Sequence, residues 1–410
     1  MSMFDPQEIK KDFPVFQRLI NGKPIIYLDS AASSLKPRLL IDKLNDYYGK
    51  YPVNVFRGIY ALSEEATAEY EQARGKIAKF IGAQTAEIIF TRNATESINL
   101  VAYSWGKAHL KPDDEVVVTM AEHHSNFVTW QQLSASFGYK FKVWNVNKLG
   151  QLILTDLDKL ITRKTKLLAV TAASNVTGVI NNIETIVKTV KKLNKNCLVL
   201  VDAAQAVPHM PVDVGKWEAD FVVFSGHKML GPTGIGVLWG KKDILATMPP
   251  FNFGGDMIKE VHTENTVFND APHRFEAGTP HIAGVIGLGA AIDYLSSLGM
   301  DNVRKHGIEI TDYALRRLKG IQGISIIGPT DARQKGGVIA FRLKDVHPHD
   351  GAQILDDDNI CVRVGYHFAQ PLHEFLEIGP TVRASFYVYT TKEDIDALVA
   401  GLNRVNKVFK

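Results

Sequence analysis

Cysteine is nearly absent from this 410-residue chain: only Cys197 and Cys361 occur. Two cysteines cannot build a disulfide framework or a typical zinc site. A surplus of one charge sign is missing too. The formal net charge is +3, with Lys and Glu scattered and no block of like charge, so no electrostatic footprint for nucleic acid is implied. No apolar run reaches membrane-spanning length, and the longest, near Ile282 to Tyr294, is short and broken by glycines. The opening Met1-Ser2-Met3-Phe4-Asp5-Pro6 lacks a basic segment followed by an apolar one. The expectation is a cytoplasmic, soluble protein without metal, and no repeat or low-complexity tract is visible.

What is present is a regular alternation of strand and helix patterns from Glu87 onward. Strands are expected at 88–91, 115–120, 140–144, 167–172, 197–202, 220–224 and 235–240, with helices between them. Apolar runs of that length alternating with helices argue for an α/β domain with a buried, largely parallel sheet. Upstream, residues 63–80 read as a helix with Ala66, Tyr70, Ala73, Ile77 and Phe80 on one face. Asn54 to Tyr60 reads as a loop. Beyond about residue 295 the pattern changes to a helix at 303–318, strands near 324–327, 337–343 and 382–389, and a closing helix from Lys392. The expected organisation is an N-terminal segment (1–20) packing on a small α+β domain (296–410), with a large domain at 21–295.

Phe221 to Pro232 is the central stretch: an apolar strand runs into Ser225-Gly226-His227-Lys228. A lysine flanked by apolar residues can be desolvated, which lowers its pKa as an imine-forming lysine needs. Alone, the same residues also describe a solvated turn lysine. A second strand upstream ends in Asp202, followed by Gln205, at the carboxyl end where open α/β sheets bind ligands. A carboxylate that holds a pyridine nitrogen protonated and a lysine that forms an imine are the partners pyridoxal phosphate requires.

Other motifs allow more than one reading. Asn93-Ala94-Thr95-Glu96 follows a strand and opens a helix, which is either a plain capping pattern or an anion site. Glu122-His123-His124 lies just past another strand. Nothing completes a metal site around it, whereas a ring there could stack on an aromatic cofactor or simply be satisfied at the surface. Arg383 sits in a strand-like run, and alternation slightly favours a solvated face over a carboxylate grip.

Taken together, the chain resembles the group II cysteine desulfurase and selenocysteine lyase family, the SUF type, within the class V aminotransferases of fold-type I. The likeness runs nearly end to end. It rests on Tyr27-Leu28-Asp29-Ser30-Ala31-Ala32, Arg57-Gly58-Ile59, Asn93-Ala94-Thr95-Glu96, Glu122-His123-His124 and Ser174-Asn175. It continues through Val201-Asp202-Ala203-Ala204-Gln205, Phe224-Ser225-Gly226-His227-Lys228, Arg274 to Pro280 and Arg383-Ala384-Ser385. The resemblance implies a fold-type I transferase with a large mainly parallel-sheet domain and a smaller α+β domain, and pyridoxal 5'-phosphate as cofactor. Lys228 would carry the cofactor and move the Cα proton; His123 would stack on the ring and take part in proton transfer. Asp202 would bind the ring nitrogen and Gln205 the phenolic oxygen. Ala94, Thr95, Ser225 and His227 would hold the phosphate, joined by Thr279 of a neighbouring subunit. Asn175 would sit against cofactor and substrate, with Arg383, Arg57 and Arg363 on the substrate side. A homodimer, a sulfur-acceptor protein and a place in iron–sulfur assembly are further implications.

One departure stands out. Where the family has its persulfide-forming cysteine, in Arg-x-Gly-His-His-Cys-Ala-x-Pro-Leu, this chain reads Arg363-Val364-Gly365-Tyr366-His367-Phe368-Ala369-Gln370-Pro371-Leu372. The family's His-Arg-Gly-Ile-His has likewise become Phe56-Arg57-Gly58-Ile59-Tyr60. Removing neutral sulfur from cysteine requires a nucleophile to accept it, and phenylalanine cannot serve. The expected activity is therefore Cβ–S or Cβ–Se cleavage of a cysteine-like amino acid, giving alanine, without the usual thiol. A lyase or transaminase for a bulkier amino acid is the alternative, and a non-catalytic sulfur-assembly partner is the third.

Overall fold

The computed structural model describes residues 4–409. Seven strands form the central sheet: β1 (Ile88–Thr91), β2 (Glu115–Thr119), β3 (Lys140–Trp144), β4 (Thr165–Thr171), β5 (Leu198–Asp202), β6 (Phe221–Ser225) and β7 (Gly236–Gly240). Their spatial order is β1-β7-β6-β5-β4-β2-β3. β7 runs antiparallel to both neighbours, and the pairings among β2 to β6 are parallel. Each expected strand is present, with ends moved by no more than two residues. Five strands (β1, β2, β5, β6, β7) are almost wholly buried apolar runs covered on both faces, as a doubly covered sheet requires.

Two apolar layers clothe the sheet. One packs α1 (Ala61–Phe80) against it through Ala66, Tyr70, Ala73 and Ile77, with Phe80 partly buried at the margin. The other packs α2 (Ala94–Val101) and α3 (His124–Phe137) through Ile98, Phe127 and Trp130. α2 continues directly into a wider π-helical turn at Ala102–Gly106, which periodicity does not reveal. The glycine- and alanine-rich α4 (Ile282–Leu298) is buried along most of its length against α1. Its glycines permit the approach: a Cβ on Gly289 would stand 2.8 Å from that of Ala73.

After α4, helix α5 (Met300–Lys319) leads into a four-stranded antiparallel sheet of β8 (Ile324–Ile327), β9 (Val338–Leu343), β10 (Arg363–Gly365) and β11 (Thr381–Ser385), in the order β8-β9-β11-β10. α6 (Lys392–Val408) closes the chain. β11 ends at Ser385, four residues before the expected limit, because Tyr387 to Tyr389 turn inward as buried aromatic core. The described part of the N-terminal segment lies on this region: Lys10 pairs with Asp394 at 2.7 Å and Gln7 donates to Glu393 at 2.8 Å. Phe13 packs edge-on to both Tyr294 and Tyr389, so it also reaches the large sheet's core. Residues 1–3 lie outside the described residues.

Candidate active site

The carboxyl ends of β4, β5 and β6 open into a cavity of about 280 Å³. Strand pairing brings the key groups side by side: Thr171 of β4 lies opposite Asp202 of β5, and Asp202 opposite Val223 of β6. From there the chain passes through Ser225 into a short 3₁₀ turn that carries His227 and Lys228. Earlier residues hold that turn. Ser34 donates its N–H and hydroxyl to the His227 carbonyl, both at 3.0 Å, and Lys36 Nζ donates to the same oxygen at 3.0 Å. Leu230 N–H returns to Ser34 Oγ at 2.7 Å. Neither Ser34 nor Lys36 stands out in sequence, since their contacts lie about 190 residues away.

Lys228 faces the cavity and, among the described residues, its Nζ makes no hydrogen bond. Burial lowers its pKa to about 8, with Asp202 opposing and Arg383 reinforcing the shift. The solvated-turn reading is thereby set aside. Burial raises the Asp202 carboxyl, and the nearby Lys228 opposes that rise. Asp202 also accepts a bond from Ala204 N–H at 2.9 Å, which fixes its orientation.

His123 begins α3 as its N-cap, taking the Ser125 N–H on Nδ1 at 3.1 Å. The neutral ring therefore carries its proton on Nε2. Burial and the Lys228 charge depress its pKa to about 3. Glu122, fully buried beside it, receives donors from Thr119 of β2, Asn126 of α3 at 2.7 Å and Thr171 N–H of β4 at 2.7 Å. That carboxyl ties the His123 turn to the strand ends, and burial pushes its pKa up to about 8.

At the opposite end lies the start of α2, capped by Asn93, whose Oδ1 takes the Glu96 N–H at 2.9 Å. Ala94 N–H donates to Ser225 Oγ at 2.9 Å, and the hydroxyls of Thr95 and Ser125 pair at 2.6 Å. With His227 these groups line one wall of the cavity. Free N–H groups and hydroxyls at a helix start suit an anion. Burial and the neighbouring Lys228 and Lys36 charges lower the His227 pKa to about 4. Ser125 and Thr171 also line the cavity, and sequence reasoning had missed both.

Arg383 does not take the solvated face that alternation slightly favours. It is 2% exposed and points into the cavity, because its side of β11 faces the large domain. Its guanidinium donates to the Asn175 carbonyl at 3.1 Å and reaches Asp29 at 3.4 Å. Asp29 also grips Arg363, with Arg363 Nη2 at 2.8 Å. Among the described residues, two buried atoms at this site lack protein partners: Arg383 Nε and Gln205 Oε1. Gln205 spends its Nε2 on the Ala31 carbonyl at 2.8 Å. A buried, unpaired polar atom is costly unless a ligand meets it, so both point to an occupant with complementary polar groups.

Two expected residues lie elsewhere. Arg57 is largely exposed and pairs with Asp256 at 3.0 Å; its loop runs along the surface instead of into the cavity. Thr279 is exposed and does not line the cavity. Phe368, by contrast, does line it. Neither cysteine does: Cys197 is buried at the foot of the sheet with its thiol pushed up to about 12, and Cys361 is paired beside Tyr27 with its thiol raised by burial.

Residues 26–398 match the family model described as aminotransferase class-V. The chain is 48% identical to a probable cysteine desulfurase of Streptomyces coelicolor, covering 99% of this chain and 98% of that one. It is 49% identical to a probable cysteine desulfurase of Halalkalibacterium halodurans, covering 98% of each. Among solved structures it superposes on an apo cysteine desulfurase from Thermococcus onnurineus NA1 with a TM-score of 0.94, at 39% identity over 99% of both chains. The Escherichia coli cysteine desulfurase CsdA in its S-sulfonic acid form gives 0.92 at 36% identity over the full length of both.

Proposed function

The chain belongs to the aminotransferase class-V family, and from that membership we propose that it is a pyridoxal phosphate enzyme of cysteine desulfurase type, cleaving the Cβ–S or Cβ–Se bond of a cysteine-like amino acid. The observation that carries this reading is the convergence, in one cavity, of Lys228, Asp202, and the unpartnered Gln205 Oε1 and Arg383 Nε.

These residues fit the cofactor. The α2 start with Ala94 and Thr95, joined by Ser225 and His227, would receive the phosphate. Asp202 would hold the ring-nitrogen proton, the free end of the Gln205 amide would meet the phenolic oxygen, and His123 would cover the ring face. The cofactor supplies an electron sink for bonds at Cα. Lys228, kept partly unprotonated near neutral pH by its burial, takes and returns the Cα proton. Arg383, its guanidinium fixed by Asp29 and the Asn175 carbonyl, grips the substrate carboxylate, with Asn175 and Arg363 alongside. His123, neutral with its proton on Nε2, would offer that N–H as a hydrogen-bond donor within the site. Thr279 would complete the phosphate site of a second copy, which makes the working form a homodimer, and Arg57 would act near that shared edge.

Phe368 offers no sulfur acceptor, which favours substrates whose β-group departs without one. A sulfinate leaves as a sulfur dioxide equivalent and selenium leaves at the elemental level, each giving alanine. Desulfuration of cysteine itself would need a thiol from outside, such as a sulfur-acceptor protein in iron–sulfur assembly. A cytoplasmic setting accords with this role. Adding pyridoxal 5'-phosphate to the purified chain tests the reading: a visible band of lysine-bound cofactor is expected in the wild type and is lost in Lys228→Ala. A folded wild type without that band overturns it.

A further inference from the structure

The Cβ–S bond can part in two ways. If its electrons stay on carbon, sulfur leaves at the elemental level and a thiolate must accept it. If they leave with sulfur, a thiol is released and no acceptor is needed. Position 368 bears on the choice, and its geometry is unusual.

His367 and Phe368 are consecutive non-glycine residues in the left-handed region, at φ 49° and 57°. That conformation is uncommon for bulky side chains and persists where surroundings enforce it. Three hydrogen bonds do so here. His124 N–H donates to the Phe368 carbonyl at 2.7 Å, Gln370 N–H to His124 Nε2 at 3.1 Å, and Asn175 Nδ2 to the His367 carbonyl at 2.6 Å. The Phe368 ring is thereby held at the cavity, 60% exposed, with its centroid 5.4 Å from the His123 ring and 6.3 Å from the His124 ring. A pinned apolar ring facing solvent at a polar site is a wall awaiting a partner. Aromatic faces and edges favour apolar groups and soft sulfur.

We propose that this chain is a β-lyase for S-substituted cysteines, with the substituent on sulfur packed against Phe368. The proposal rests on the cofactor-bound amino-acid site described above. The net reaction is R–S–CH2–CH(NH3+)–COO− + H2O → R–SH + CH3–CO–COO− + NH4+. Lys228 removes the Cα proton, and the Cβ–S bonding pair leaves with sulfur. The departing thiolate takes up the proton that Lys228 removed from Cα, which restores the lysine, while the neutral His123, whose ring lies 5.4 Å from that of Phe368, offers a hydrogen bond only. The remaining three-carbon fragment is released and hydrolysed by water to pyruvate and ammonium. Nothing in this sequence asks for a cysteine at position 368.

The test uses the cofactor-loaded chain with S-benzyl-L-cysteine, L-cysteine sulfinate and L-cysteine, measuring pyruvate, free thiol and alanine. Pyruvate and benzyl thiol in equal amounts from S-benzyl-L-cysteine are expected. A binding measurement separates wall from chemistry. In loaded Lys228→Ala protein, adding Phe368→Ser should weaken S-benzyl-L-cysteine about tenfold, the scale of one aromatic contact, while L-alanine changes less than about twofold. Alanine from the sulfinate with no pyruvate from S-benzyl-L-cysteine overturns the lyase and leaves the parent reading intact. No product from any amino acid overturns both. Equal weakening of both ligands by Phe368→Ser overturns the wall.

Discussion

The backbone N–H of His124 donates to the carbonyl of Phe368 at 2.7 Å, which ties the turn carrying His123 to the loop where the family resemblance would put a persulfide-forming cysteine. Phe368→Cys should then supply the missing acceptor. On the proposed reading, alanine formation from L-cysteine is expected to rise at least about tenfold, with a persulfide at position 368 detectable by thiol labelling and mass, because a thiolate there can accept the sulfur. No gain would show that more than the thiol has been lost.

The proposed grip of Arg383 on the substrate carboxylate uses a planar fork held by Asp29 and the Asn175 carbonyl, which a lysine cannot reproduce. Arg383→Lys should raise KM about 10- to 100-fold, the worth of a charged hydrogen-bonded contact, with a smaller effect on kcat. Steady-state kinetics on any turned-over amino acid checks this. A fall in kcat at unchanged KM would place Arg383 elsewhere in the reaction.

Glu276, within the family-like Arg274 to Pro280 run, supports the fold. Its two oxygens meet Arg74 at 2.7 and 2.8 Å, and Oε1 also takes the Phe90 N–H at 2.7 Å, while Arg74 is 1% exposed. Glu71 still bonds Arg74 Nε at 3.1 Å from the more exposed side, so Glu276→Ala leaves the guanidinium partly compensated and should cost about 1–3 kcal/mol, the range for a buried polar group that loses a partner. Denaturant unfolding of the two proteins measures it.

Lys335 is buried and, among the described residues, has no acidic partner; its Nζ donates to the carbonyls of Thr177 and Ile327. Burial lowers its pKa from 10.5 to about 7. Between those values the unfolded chain binds a proton that the folded chain does not, so this group makes stability rise with pH across that window. Lys335→Met should flatten the rise between pH 7 and pH 10.5, read from denaturation midpoints. An unchanged slope would contradict the assignment.

The large sheet was legible because apolar runs buried on both faces leave little else for residues such as Val116–Val118 and Val222–Phe224 to form. Lys228 and Asp202 were legible because each interrupts such a run at its carboxyl end. Alternation alone leaned Arg383 toward a solvated face, against the substrate side implied by the resemblance, because period two says which residues share a face but not what that face meets. Asp29, Ser125 and Thr171 were missed as site residues because small polar residues near strand ends look alike until the fold juxtaposes them. The inward turn at Tyr387 to Tyr389 was hidden because aromatic residues suit strand and core equally.

The most direct measurement is alanine released by the cofactor-loaded chain from L-cysteine sulfinate and L-selenocysteine, against L-cysteine without added thiol, in wild type and Lys228→Ala. The account predicts alanine from the first two, little or none from L-cysteine, and none from any of them in the variant. Alanine from L-cysteine as fast as from the sulfinate, with no thiol added, would contradict it.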